Sequence, residues 1–257
     1  MKRTTSALFP IASFLLAAFA SPLLAQATAA PATAPTIDQG LAALQAHHPD
    51  QALADFQQIL AADPNNAVAT LYAATAALEQ YNGPLAVQYA EKARQLDPQS
   101  WKVHTTLVAA YAAAGKKQQR DDERAQLTQL HATGAPDARK ATGFLLEMFQ
   151  VGSAPNGPIQ VNAIQYFEPV GKFHTWYRFL IRDEAAHTSR EIDVQSNDFD
   201  QKSWAAAHPA QAAAGERQFQ LTDANGTADY RMFSGHPDYD QIRAMVVAIL
   251  QTQSASR

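Results

Sequence analysis

The side chains with the most chemical potential in this 257-residue sequence lie on one alternating stretch. His174, Trp176 and Arg178 are two residues apart, so on a β-strand they share a face. An aromatic ring beside a guanidinium on a sheet can hold a sugar ring or an anionic ligand. The same residue types also anchor protein interfaces, or simply pack a covering helix. Tyr166, on the preceding stretch, joins them if the register allows. The common catalytic signatures are missing. The eight histidines are scattered, with no His-Glu-x-x-His pair for zinc. No Gly-x-Ser-x-Gly elbow, Ser-x-x-Lys pair, phosphate loop or dinucleotide glycine cluster occurs. Asn197-Asp-Phe-Asp200 brings two carboxylates together but lacks the turn glycine and distal glutamate of a calcium loop, and reads as a helix cap. The sequence therefore points to no catalytic residue, no cofactor and no metal ligand set.

Composition narrows the function further. Lys and Arg number 20 against 24 Asp and Glu, a net charge of −4. No basic excess exists to neutralise phosphates, which argues against nucleic-acid binding. With no cysteine, disulfides, thiolate zinc sites and cysteine nucleophiles are excluded. Lys2 and Arg3 precede an apolar run from Ala7 to Ala20, and Ala25-Gln26-Ala27 fits a small-x-small cleavage rule. That order predicts a signal peptide over residues 1–27, and so an exported protein, periplasmic or secreted. The run is too short for a membrane span, and Pro10 interrupts it. Residues 28–35, mostly Thr, Ala and Pro, predict a flexible leader.

The next hundred residues repeat. Asp63-Pro64 and Asp97-Pro98 are 34 residues apart, as are Ala52 and Ala86. Gly40, Ala74 and Val108 keep the same offset. A fixed period of this length predicts stacked helix pairs. Each Asp-Pro stops a helix, because proline lacks an N–H and restricts the residue before it. Asn66 or Ser100 can then cap the next one.

These residues resemble the tetratricopeptide repeat family over about residues 33–134. Gly40, Ala52, Phe56 and Asp63-Pro64 match its pattern in the first repeat, and Ala74, Ala86 and Asp97-Pro98 in the second, where Ala90 replaces the aromatic. The third begins with Leu107, Tyr111 and Gly115, then departs: Arg120 and Arg124 occupy the expected alanine and aromatic positions. Its second helix is expected to sit shifted or face solvent. The resemblance implies a binding groove along the inner helices, lined by Ile37, Leu41, Leu71, Leu78 and Lys102. Only Lys102 there could hold a carboxylate, so the groove suits an apolar peptide or a docked domain. The competing reading of these leucines is packing between repeats. A further helix over 136–150, with Ala141, Phe144, Leu145 and Met148 on one stripe, is expected to cap the array, the alternative being a plain connector between the domains.

From Pro158 the period changes to two. Residues 159–167, 173–182, 190–195, 218–222 and 230–233 predict five strands, and Pro169-Val-Gly171 and Asn225-Gly226 predict hairpin turns. A closing helix over 238–252 buries Ile242, Val246, Ile249 and Leu250. The expected fold is two domains: a helical-repeat solenoid over 36–150, then an α+β domain over 151–257 with an antiparallel sheet and a C-terminal helix. The expected role is non-catalytic, an exported interaction or scaffolding module of the cell envelope that binds a protein or peptide through its repeats. The alternative is an α+β domain that binds a small ligand or hydrolyses one, tethered by the repeats.

Overall fold

A computed structural model of the protein describes residues 34–152, 158–171, 175–196, 201–223, 228–234 and 238–255. The predicted signal peptide, His174, the Asn197 to Asp200 loop and the Asn225-Gly226 turn lie outside those residues.

The repeated segment forms three helix pairs: α1 (Ile37–Gln45) with α2 (Pro49–Ala62), α3 (Ala67–Glu79) with α4 (Gly83–Leu96), and α5 (Trp101–Ala113) with α6 (Lys117–Thr133). Caps set their starts. Thr36 and Gln39 form a reciprocal capping box on α1. The Asn66 side chain accepts from the Ala69 N–H at 2.9 Å. Ser100 precedes α5 without a side-chain cap bond. The period-matched residues are the contact points within and between pairs. Ala52, Ala74, Ala86 and Ala90 are fully buried. Gly40 lies against Phe56, where an added Cβ would come within 2.6 Å of the ring. Glycine on one helix is thus what lets the aromatic of the next lie flat. Burying a ring of that size stabilises by about 1.5–3 kcal/mol.

The helical run ends earlier than its periodicity suggests. Only α7 (Pro136–Lys140) follows α6, and the expected capping helix is replaced by a strand, β1 (Gly143–Val151). This segment is apolar on both sides, because β1 packs against a cluster on each. Leu145 and Met148 pack on the cluster of α3, α4 and α5, whereas Phe144, Leu146, Phe149 and Val151 face the sheet core. A strand buried on both faces loses its alternation and is hard to tell from a helix. Gly143 is the local clue: a Cβ there would meet the Gln165 carbonyl oxygen at 2.4 Å.

The strands β2 (Ile159–Val170), β3 (Thr175–Asp183), β4 (Thr188–Ser196), β5 (Glu216–Asp223) and β6 (Ala228–Ser234) complete one antiparallel sheet in sequential order β1 to β6. Short helices α8 (Gln201–Ala207) and α9 (Pro209–Ala213) link β4 to β5, broken at Pro209 as its missing N–H requires. The chain closes with α10 (Tyr239–Ala255), capped by Asp238 and Gln241 bonding each other's backbone N–H. Ile242, Val246 and Leu250 of α10 pack on Val161, Phe179, Ile192 and Val194, and Val108 and Leu127 from the helix pairs join the same core. The helices-then-sheet order is as expected. The boundary at residue 150 falls inside β1, and the two halves share a core.

The departures in the third pair lie at this junction. Most of α6 faces solvent, as expected, but one side of it buries Arg120, Glu123 and Leu127. The Arg120 guanidinium lies over the Tyr239 ring and bonds Asp240, and Arg124 Nε donates to Gln165 at 2.9 Å. The repeat pattern breaks where α6 must hold α10 and β2.

Candidate functional site

The inner-helix groove is occupied by the chain itself. Leu71 and Leu78 are 9% and 3% exposed, inside the cluster that receives Leu145 and Met148 of β1. Ile37 and Leu41 are half-buried against the α1, α2 and α3 cluster. These four residues pack the fold. Lys102 remains exposed on the first turn of α5. On the sheet, Trp176 is half-buried against the core. Arg178 is not free to take an anion, because its fork is spent on Asp193, at 2.7 Å from Nε and 2.8 Å from Nη2.

What the fold brings together instead is a cleft of about 960 Å³ between the ends of two inner helices and the sheet. His47, Pro49, Glu79 and Tyr81 form the helical wall. Met148 of β1, Gln160 and Asn162 of β2, Leu180 and Arg182 of β3, and Glu184, Ser189, Arg190 and Glu191 form the other side. Asn162, Leu180 and Glu191 are cross-strand neighbours, and Met148 pairs with Asn162 on the outer side. α10 packs on the opposite, core-facing residues, which leaves Leu180 at 40% exposure. A smaller hollow of about 380 Å³ shares Asn162 and Leu180 and continues towards Ile164 and Tyr166.

The helical wall is built by a repeated turn. After α1 the His47 and His48 N–H groups donate to Leu44 and Ala43. After α3, Tyr81 and Asn82 donate to Leu78 and Ala77. After α5, Gly115 and Lys116 donate to Ala112 and Tyr111. This closure needs a left-handed residue at the first position. The three residues there have φ of 56°, 56° and 68°. Glycine adopts that conformation freely, whereas another residue costs about 1–2 kcal/mol. Gly115 follows the rule, but His47 and Tyr81 do not, and those two side chains line the cleft. Placing positions 47, 81 and 115 in the 34-residue register would have exposed this anomaly in the sequence.

Glu79 ends α3, where the helix dipole disfavours negative charge. Burial pushes its carboxyl pKa up, opposed by His47. Burial also raises the Tyr81 hydroxyl, against a hydrogen bond from Gln150. On the sheet side Arg182 stands 3.7 Å from Glu184, and Gln160 donates to Glu184 at 3.4 Å. The cleft thus combines an apolar floor with charged and amide groups around it, the make-up of a recognition site.

The remaining buried charges are matched within the fold. Glu147 accepts from the Tyr239 hydroxyl at 2.6 Å and from Arg243 at 2.8 Å. Glu123 bonds both His104 and Arg94. Among the described residues no group of three or more His, Asp or Glu side chains is arranged to hold a metal ion, and no helix is long and apolar enough to cross a membrane. Compared with models of known protein families and with curated proteins, the chain matches none.

Proposed function

We propose that this protein is an exported, non-catalytic binding module of the cell envelope, with helix pairs of the tetratricopeptide type, and that it recognises a segment of another protein without a cofactor. The segment enters the cleft between the α1 and α3 turns and the open face of β2 to β4. It does not lie along Leu71 and Leu78, which are buried within the fold.

One observation carries the reading: two successive helix-pair turns hold His47 and Tyr81 in a left-handed conformation that glycine fills in the third, and both side chains line the cleft. Unfavourable backbone geometry retained at a cleft is expected of a binding surface. The exposed Leu180 on the opposite wall supplies an apolar contact of the kind that seats a partner. The test is affinity capture from envelope extract with the unaltered protein and with Leu180→Glu. A partner retained by the first and lost by the second supports the reading. Partners held equally by both place the binding surface elsewhere.

A further inference from the structure

The charges around the cleft are unequally matched. Glu184 has Arg182 beside it, and Glu191 has Arg178 at 3.6 Å. Glu79 is different: among the described residues nothing hydrogen-bonds or ion-pairs its carboxyl, and His47 is the group that acts on it. Two further effects bear on this carboxylate. It ends α3, whose last carbonyls add partial negative charge, and α1 ends on the same cleft. It is also half-buried, so a purely apolar ligand would strip its remaining water and leave a charge without compensation. An anionic ligand would add repulsion. A cation relieves both penalties.

We propose that a lysine or arginine side chain of the bound segment sits on Glu79 in the pocket flanked by His47 and Tyr81, with its aliphatic stem along Met148 and Leu180. Long basic side chains suit such a site because the stem is apolar while the head is charged. The Tyr81 ring offers a second, weaker attraction for the cation. This inference rests on the reading of the cleft as a segment-binding site and specifies what the segment must carry.

The test uses a phage-displayed library of random short peptides panned on the unaltered full chain. Selected peptides are then measured against that protein, Glu79→Gln, Glu79→Asp and Leu180→Asn by fluorescence polarisation. Circular dichroism of each variant confirms folding. The expected result is a selected lysine or arginine next to apolar residues, affinity at least about tenfold weaker for Glu79→Gln, partial retention for Glu79→Asp, and marked weakening on Leu180→Asn, which removes the apolar contact without adding charge. Peptides that require Leu180 but bind Glu79→Gln unchanged overturn the cation assignment and leave the cleft reading intact. Peptides indifferent to Leu180, or no selected peptide, overturn both.

Discussion

The Arg120 guanidinium on α6 donates to the Asp240 carboxylate on the first turn of α10 at 2.8 Å, spanning 120 residues of chain. Its side chain is 6% exposed, and its Nε and Nη2 also donate to Asp121. The pair fastens the helix pairs to the sheet through a buried cation. Removing the cation leaves Asp240 with Lys117 and Asp121 with Arg124, both carboxylates partly exposed. Arg120→Ala is therefore expected to cost roughly 1.5–3 kcal/mol, the worth of charge-assisted hydrogen bonds, read as a lower midpoint in urea. Arg120→Met, which keeps the packing, with Asp240→Asn should cost much less. A loss below about 1 kcal/mol for Arg120→Ala would mean that the junction relies on its apolar core alone.

Acid should weaken the same junction. The hydrogen bond from Arg120, aided by Lys117, lowers the Asp240 carboxyl from 3.8 to about 2. A depressed pKa gives stability that is complete above the unfolded value and is lost as pH falls through the folded one. Thermal unfolding should show this loss between about pH 4 and pH 2, and Asp240→Asn should shrink it. An unchanged acid slope in that variant would contradict the assignment.

His104 should act in the opposite direction. Its Nε2 is 2.9 Å from the Pro98 carbonyl, and its Nδ1 contacts the Glu123 carboxylate, which Arg94 also bonds. Two acceptors on one ring favour the doubly protonated form. The bond to Glu123 is the chief reason that the pKa is raised above 6.5, against the effect of burial. This stability is fully present below the unfolded value and is lost as pH rises through the folded pKa. The melting temperature should fall as pH climbs above 6.5, and the fall should diminish in His104→Gln. An NMR titration of His104 with its pKa at or below 6.5 would refute this.

Much of the scaffold was legible in the sequence, for identifiable reasons. Asp63-Pro64 and Asp97-Pro98 mark helix ends because proline acts locally, whatever surrounds it. The strand over 175–183 alternates because one of its faces is the α10 core. β1 resembles a helix in the sequence because apolar side chains pack on both sides of it, Leu145 and Met148 half-buried on one and Phe144 and Phe149 buried on the other. Arg120 looked like a failed repeat position because its partner, Asp240, lies far along the chain. Leu71 and Leu78 look like groove residues because nothing local reveals that they are buried in a cluster that also receives Leu145 and Met148. The cleft is legible only through the 34-residue register, which sets His47 and Tyr81 against Gly115; neither residue type alone signals a left-handed backbone.

The glycine contact in the first pair sets a stability prediction of unusual sign. Alanine usually stabilises a helix interior over glycine by about 1 kcal/mol. At Gly40 the new Cβ would fall 2.6 Å from the Phe56 ring. Gly40→Ala should therefore destabilise by about 1–3 kcal/mol, as overpacking does, and Phe56→Leu should recover part of the loss. Stabilisation by Gly40→Ala would show that the ring can move aside.

His47→Gly should separate stability from binding. It relieves the left-handed strain at an exposed position, so the melting temperature should rise, by an amount corresponding to about 1 kcal/mol. Partner capture should weaken at the same time. Leu78→Glu should instead destabilise the whole fold, because that side chain is 3% exposed. Unchanged capture by His47→Gly would remove His47 from the site.

Site-specific photo-crosslinking tests the binding cleft most directly. A benzophenone amino acid replaces Leu180 in one protein and Val68 in another. The two residues are comparably exposed, at 40% and 47%, but Val68 is not among the residues lining the cleft. The cleft account predicts that the probe at 180 joins one discrete envelope protein, at one short segment identified by mass spectrometry, and that the probe at 68 does not. Equal labelling from both positions, or no discrete product from position 180, would contradict it.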